Sequence, residues 1–311
     1  MSSVVTQAPT TGRRLRAPKF MLAIPGFVWY GFFYAIPVLF VVFNSFGYKP
    51  PVGAKGSVRL DRLSFDNYRD IWTSDFRQVF VNTMVIAGMS TLLCILIGLP
   101  VAYFIAVKAS ARMKAILLVL VIVPFWMSFF VRTSAWKIVF AKFGFLNNLL
   151  IDWGIRQSPI DLIGSKPAVL LALVYNYLPL MIFPLFVSLD RIEPAMREAS
   201  KDLGAGRFKT FLSVTVPLAA PGITAGALLT FIPMAGDYVT ATILGGAKGN
   251  MIGSVIYNFA IVGQDTPKGS AAAVVLVSLI LGVVIMAGLV LGSLRLLFAM
   301  NRKVTVPGVA L

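Results

Sequence analysis

Asp237 is an acid set between apolar blocks, with Ile232 and Pro233 before it and Tyr238 and Val239 after it. A charge at mid-helix in a bilayer costs about 2.5–3.5 kcal/mol, so such a carboxylate must face a cavity or a partner. Two readings of this carboxylate stand side by side: contact with a cationic ligand, Tyr238 adjoining, or a structural ion pair with Arg132. Tyr175, Asn176 and Tyr177 sit inside a second apolar run, and Trp126 lies near the end of a third. Aromatic faces attract ammonium groups. Trp and Tyr also collect at membrane interfaces without any ligand, and Phe125, Phe129, Phe130 and Trp136 around Trp126 favour that plainer role there. Other chemistry is excluded by what is missing. With no His and one Cys, Cys94, there is no zinc-type ligand cluster, no Cys/His nucleophile pair and no intrachain disulfide.

These residues are positioned by a chain that is 58% hydrophobic and only 13% charged, where a soluble domain carries about a quarter charged residues. A mean hydropathy of +0.84 agrees. The expected class is an all-α integral membrane protein. Six neutral stretches, 20–48, 78–107, 115–131, 167–189, 210–236 and 269–294, are each long enough for a spanning helix of about 17 residues or more. The segment 249–264 is interrupted by Asn250, Asn258, Gln264 and glycines, and reads as a re-entrant or surface helix. Cys94, inside the run LLCILIG, packs.

The net charge of +16 follows from membrane topology rather than from binding nucleic acid, because cytoplasmic segments gather Lys and Arg. Arg13, Arg14, Arg16 and Lys19 precede the first apolar stretch, which is too long for a signal-peptide core and lacks a small-residue cleavage site. An N-terminal tail, 1–19, and a C-terminal tail, 300–311, are therefore both expected inside, flanking a transmembrane domain over 20–299. Residues 1–12 are expected to be disordered, and 47–77 to form an ordered extracytoplasmic loop. Gly288 and Gly292 make a GxxxG in the last span, a candidate for close helix contact.

Between the fourth and fifth spans the loop 190–217 is amphipathic. Pro194 suits a first helical turn, and Ala195, Met196, Ala199 and Leu203 fall on one face. Gly204 supplies a bend, after which a second short helix runs from Arg207 to Pro217. A helix lying on lipid would carry a strongly basic polar face, whereas this loop mixes Arg197, Lys201 and Arg207 with Glu193, Glu198 and Asp202. Mixed charge favours a surface that docks a protein.

This loop resembles the EAA signature of the membrane subunits of binding-protein-dependent ABC importers. Glu198, Ala199 and Ser200 stand for Glu-Ala-Ala, Gly204 follows after three intervening residues, and Val214, Thr215, Val216 and Pro217 stand for Ile-x-Leu-Pro. The stretches VPFWMSFFVRTSAW and FIPMAGDYVTATILGG resemble the spermidine/putrescine-type permeases in particular. The resemblance implies a multi-pass subunit of a bacterial inner membrane that couples through the 194–212 element to a separate ATPase. It further implies a second permease chain, two ATP-binding subunits that hold ATP and Mg, and an extracytoplasmic substrate-binding protein. No GxxxxGK[ST] loop occurs in the sequence, so no cofactor is expected in this chain and hydrolysis must come from a partner.

Three function classes follow. A transport subunit for a small organic cation, most simply a polyamine, accounts for all of these features; related importers carry iron, thiamine or amino acids instead. A stand-alone secondary transporter would need coupling residues within the spans, where Asp237 is nearly the sole candidate. A membrane enzyme is disfavoured by the lack of paired intramembrane carboxylates.

Overall fold

A computed structural model describes residues 23–51 and 56–301. The basic N-terminal cluster, the Ser/Thr/Pro-rich start and the tail after Asn301 lie outside the described residues. Among those described, no strand forms; a lone antiparallel bridge joins Tyr48 to Arg59.

Four helices are long and apolar enough to cross a membrane: α1 (Ile24–Ser45), α3 (Asp75–Lys108), α7 (Lys166–Asp190) and the final helix α13 (Thr266–Asn301). Between them lie α2 (Asp66–Ile71) and two bent pairs. In the first pair, α4 (Ala111–Trp126) meets α5 (Phe129–Val139) at 89°; in the second, α9 (Arg207–Leu218) meets α10 (Ala220–Ala235) at 66°. Counting each pair as one span gives six. Shorter elements are α6 (Phe145–Asp152), α8 (Pro194–Asp202), α11 (Tyr238–Thr240) and α12 (Ile252–Val262).

Both breaks fall where proline prevents an unbroken helix. Pro124 opens a 3-10 turn ending at Trp126, and Met127 and Ser128 leave the helical region with ψ of 143° and 134°. The neutral run 115–131 is therefore not a straight span: the chain turns sharply inside it. Pro217 and Pro221 bracket the second break, and the π turn Phe211–Thr215 re-aims the backbone, Val216 N–H donating to Phe211 O. The fifth apolar stretch, 210–236, is divided in the same way. The 249–264 segment forms α12, whose 11 residues span about 16 Å, too short to cross a hydrocarbon core.

Helix starts are capped by side chains read easily from sequence. Thr73, Ser110 and Ser165 accept backbone N–H groups at the starts of α3, α4 and α7. The core forms where α7 packs between α3 and α10, with Leu173, Met181, Leu185 and Leu189 fully buried. Close approach rests on glycine. A Cβ at Gly222 would meet Pro184 O at 2.7 Å, and one at Gly226 would meet the Met181 sulfur at 2.6 Å. The Gly288 and Gly292 pair makes no such contact among the described residues, since a Cβ at either would meet nothing within 4 Å. By contrast with the core, α1 exposes Trp29, Tyr30, Phe32, Phe33 and Phe40.

Two polar clasps close the bundle at opposite ends of its long helices. At one end Lys114 Nζ lies 2.6 Å from Asp190, joining the start of α4 to the end of α7. At the other, Lys268 pairs with Asp70 at 3.1 Å and Lys49 donates to Gly263 O at 2.8 Å. The 47–77 loop is ordered where described: Asn67 Nδ2 donates to Ser45 O and Gly47 O, and Ser45 Oγ lies 2.7 Å from the Tyr68 hydroxyl.

Candidate functional site

The residues singled out from sequence gather in two places. At the Lys114–Asp190 end, α8 stands apart from the bundle. Pro194 occupies its first turn, and the helix ends at Leu203 before Gly204, whose φ is +82°. Nothing lies within 4 Å of a Cβ built on Gly204, so the constraint there is backbone conformation rather than space. Ala205 N–H donates to Ser200 O, and the hydroxyls of Ser200 and Thr210 lie 3.1 Å apart, tying α8 to the start of α9.

Arg197 and Ser200 are half-buried toward the body of the chain, with Lys201 one turn along the same face. Glu198, Ala199, Lys201 and Asp202 are exposed, and Leu203 is 89% exposed. The predicted apolar stripe is not covered by the rest of the chain: Met196 is half exposed, and Ala195, Ala199 and Leu203 are exposed. Arg207 and Pro217 are also exposed. Beside α8 an open apolar groove of about 870 Å³ runs between α7 and α10, lined by Phe183, Val187, Met196 and Leu229 among others.

The second place is where α5, α7 and the α10–α11 junction meet. Asp237 is 6% exposed and caps α11: its carboxylate accepts the Thr240 backbone N–H at 3.0 Å and the Thr240 hydroxyl at 2.6 Å. Arg132 is equally buried, but its Nη1 donates to Pro124 O at 3.0 Å across the 89° bend. Its guanidinium carbon sits 5.0 Å from the Phe125 ring centre and 5.7 Å from that of Phe129. The Arg132–Asp237 ion pair does not form. Each group has a nearer partner within a few residues of its own backbone, and the ion pairs among the described residues are Lys114–Asp190 and Lys268–Asp70.

Tyr177 lies within electrostatic reach of both buried charges and tilts against Phe129 at 5.8 Å. Asn176 is buried, donating to Thr133 Oγ1 at 3.0 Å while its Oδ1 has no partner. Tyr175 and Trp136 stand edge to face at 5.3 Å and, with Arg132, line a pocket of about 240 Å³. Tyr238 turns away and stacks on Tyr257 at 5.1 Å. Trp126 is 83% exposed at the elbow of the bent pair, away from this cluster. Sequence reasoning missed Thr240 and Tyr257. The first was partly readable, since an Asp at a helix start accepts backbone N–H groups two or three residues on; the stacking of Tyr238 on Tyr257 across 19 residues left no local signal.

Residues 98–299 match the family described as binding-protein-dependent transport system inner membrane component. The chain belongs to that family. It is thus a non-enzymatic membrane subunit of a transport system, with the ATPase a separate subunit. Among its relatives, the spermidine/putrescine transport system permease protein PotB of Haemophilus influenzae is 36% identical, the match covering 89% of this chain and 93% of that one. PotB of Escherichia coli is 32% identical over 83% of this chain and 92% of its own. In three dimensions, a chain of a bacterial ABC transporter that imports the acidic polysaccharide alginate superposes with a TM-score of 0.67 at 16% identity, over 92% of this chain and 95% of that one. A chain of the MetNI methionine ABC transporter gives 0.54 at 17% identity, covering 71% of this chain and 98% of its own. At such low identities these two structures speak for the all-helical permease fold alone.

Proposed function

We propose that this chain is one of two membrane-spanning subunits of an ATP-driven importer of polyamines, spermidine or putrescine, in a bacterial inner membrane. The observation that carries the reading is the 36% identity to a spermidine/putrescine permease over 89% of the chain. The chain crosses the membrane six times with both termini cytoplasmic, each bent pair counting once. It works with a second permease chain, two copies of an ATP-binding subunit that holds ATP and Mg, and an extracytoplasmic binding protein. The uncovered face of α8, with Glu198, Ala199 and Leu203 exposed, supports its insertion into a groove of the ATPase. Gly204, Ser200, Arg207 and Pro217 shape that element. The open groove between α7 and α10 suits apposition of the second permease chain.

Asp237 supplies the negative charge for the substrate. It is buried, unpaired with any cation among the described residues, and within electrostatic reach of Tyr177, so an ammonium group entering there gains a carboxylate with an aromatic side chain in the same region. The proposed path also takes in Tyr175 and Asn176; Tyr238, stacked on Tyr257, and Trp126, exposed at the elbow, lie along it away from the carboxylate cluster. Coexpression of an affinity-tagged chain tests the assembly directly: an ATPase and a second permease should copurify. Recovery of the chain alone, with polyamine transport intact, would reject the importer reading.

A further inference from the structure

Where α3 ends, its last π turn, Phe104–Lys108, faces the foot of the α8–α9 element across a pocket of about 430 Å³. Four cations line it, Lys108, Arg197, Lys201 and Arg207, and no Asp or Glu is among its described lining residues. None of the four forms an ion pair among the described residues. Arg197 Nη1 donates to Ile192 O at 3.5 Å, which leaves its other donors without a protein acceptor. One wall is aromatic: Tyr103 meets Phe211 edge to face at 5.2 Å, and Phe208 is 75% exposed at the rim. One turn deeper along α3, an apolar groove of about 440 Å³ opens between Pro100, Val101 and Phe104 on one side and Leu117, Leu120 and Val121 of α4 on the other.

We propose that this pocket binds the phosphate headgroup of an anionic phospholipid, with an acyl chain laid in the neighbouring groove. The charge complementarity is direct, because four clustered and unpaired cations attract an anion and repel the cationic cargo. The arrangement also matches lipid amphipathy, with a basic site at the end of the spans and an apolar trough continuing into them. An acidic patch on the ATPase is the competing occupant. The placement of the basic side chains argues against it: Arg197 and Lys201 line the cleft that faces Tyr103 and Lys108 of α3, while Ala199 and Leu203, on the other side of α8, are exposed and open to a protein. Lipid bound here would brace α8 from behind while its outer face docks.

The test uses the assembled importer with its partner chains in detergent, titrated with phosphatidylglycerol or phosphatidylcholine and read by native mass spectrometry. Near a membrane surface each basic side chain contributes about a 5-fold gain in affinity for acidic lipid, so Lys108→Gln with Lys201→Gln should weaken one phosphatidylglycerol site roughly 25-fold. Both side chains are exposed, so the fold should tolerate the change, which the unfolding temperature without lipid checks. Lys108→Arg with Lys201→Arg should restore binding, and Arg112→Gln, an exposed cation outside the pocket, should leave it unchanged. Equal affinity for the two lipids, or equal phosphatidylglycerol affinity in wild type and the double Gln variant, would overturn the proposal. Displacement by inorganic phosphate at millimolar concentration would assign the pocket to a free anion and overturn the lipid. Loss of ATPase association with lipid binding intact would make the pocket a protein contact, with the same consequence.

Discussion

The hydroxyls of Ser200 and Thr210 lie 3.1 Å apart across the turn at Gly204, linking α8 to the start of α9. Ser200 is also the position where the Glu-Ala-Ala pattern departs from alanine, and the contact gives that departure a structural role. Ser200→Ala removes a single hydrogen bond, worth about 0.5–1.5 kcal/mol. Hydrogen exchange should quicken locally in α8, while ATP-driven uptake stays within about twofold of wild type.

Gly204 is far less forgiving. At φ of +82° a β-branched residue is strained by about 1–3 kcal/mol, and the strain falls on the bend that aims α8. Gly204→Val should reach the membrane in normal amounts and lose stimulated ATP hydrolysis, whereas Gly204→Asn, which tolerates that conformation, should retain most of it. Glu198→Arg, an exposed reversal on the outward face, should also lose ATPase association without loss of membrane level. Wild-type coupling in both Gly204→Val and Glu198→Arg would reject the docking role of α8.

Packing between α7 and α10 makes a separate prediction. A side chain at Gly222 runs into the Pro184 carbonyl, so Gly222→Val should lower stability by about 1–3 kcal/mol and reduce the amount of folded chain in membranes. Gly288→Ala, with open space around it, should leave the unfolding temperature of the purified chain unchanged. A large loss from Gly288→Ala would reinstate the GxxxG as a contact within this chain.

These two glycine sites show where sequence was a sufficient guide and where it was not. The bend at Gly204 is local, so spacing and residue type exposed it. Apolar stretches between charges located the long helices because lipid imposes their length. The breaks at Met127–Ser128 and Ala219 were hidden inside neutral runs, since hydropathy records composition and not direction. Pro124, Pro217 and Pro221 were the local signals, and α7 carries Pro179 and Pro184 without breaking. The Arg132–Asp237 pair was a reasonable expectation from shared level, but a carboxylate three residues before Thr240 and a guanidinium eight residues after Pro124 each found a closer partner.

That separation changes what neutralisation should do. Asp237→Asn keeps the capping acceptor, so membrane levels should survive, while the apparent KM for polyamine rises about 10- to 100-fold, the loss of one charged hydrogen bond. Arg132→Gln should instead lower the amount of folded protein, because it removes the link from α5 to Pro124 across the bend. With no pair between them, the double variant should show the two effects added together. Rescue of both level and uptake in the double variant would contradict the structure and restore the ion pair.

The most direct measurement of the central claim is uptake of labelled spermidine by vesicles reconstituted with this chain, its partner permease, the ATPase and the binding protein. The account predicts saturable uptake that requires ATP inside, the binding protein outside and this chain in the bilayer, with competition by putrescine. Uptake by this chain alone along an ion gradient, or full assembly and ATP hydrolysis with no polyamine entering, would contradict it.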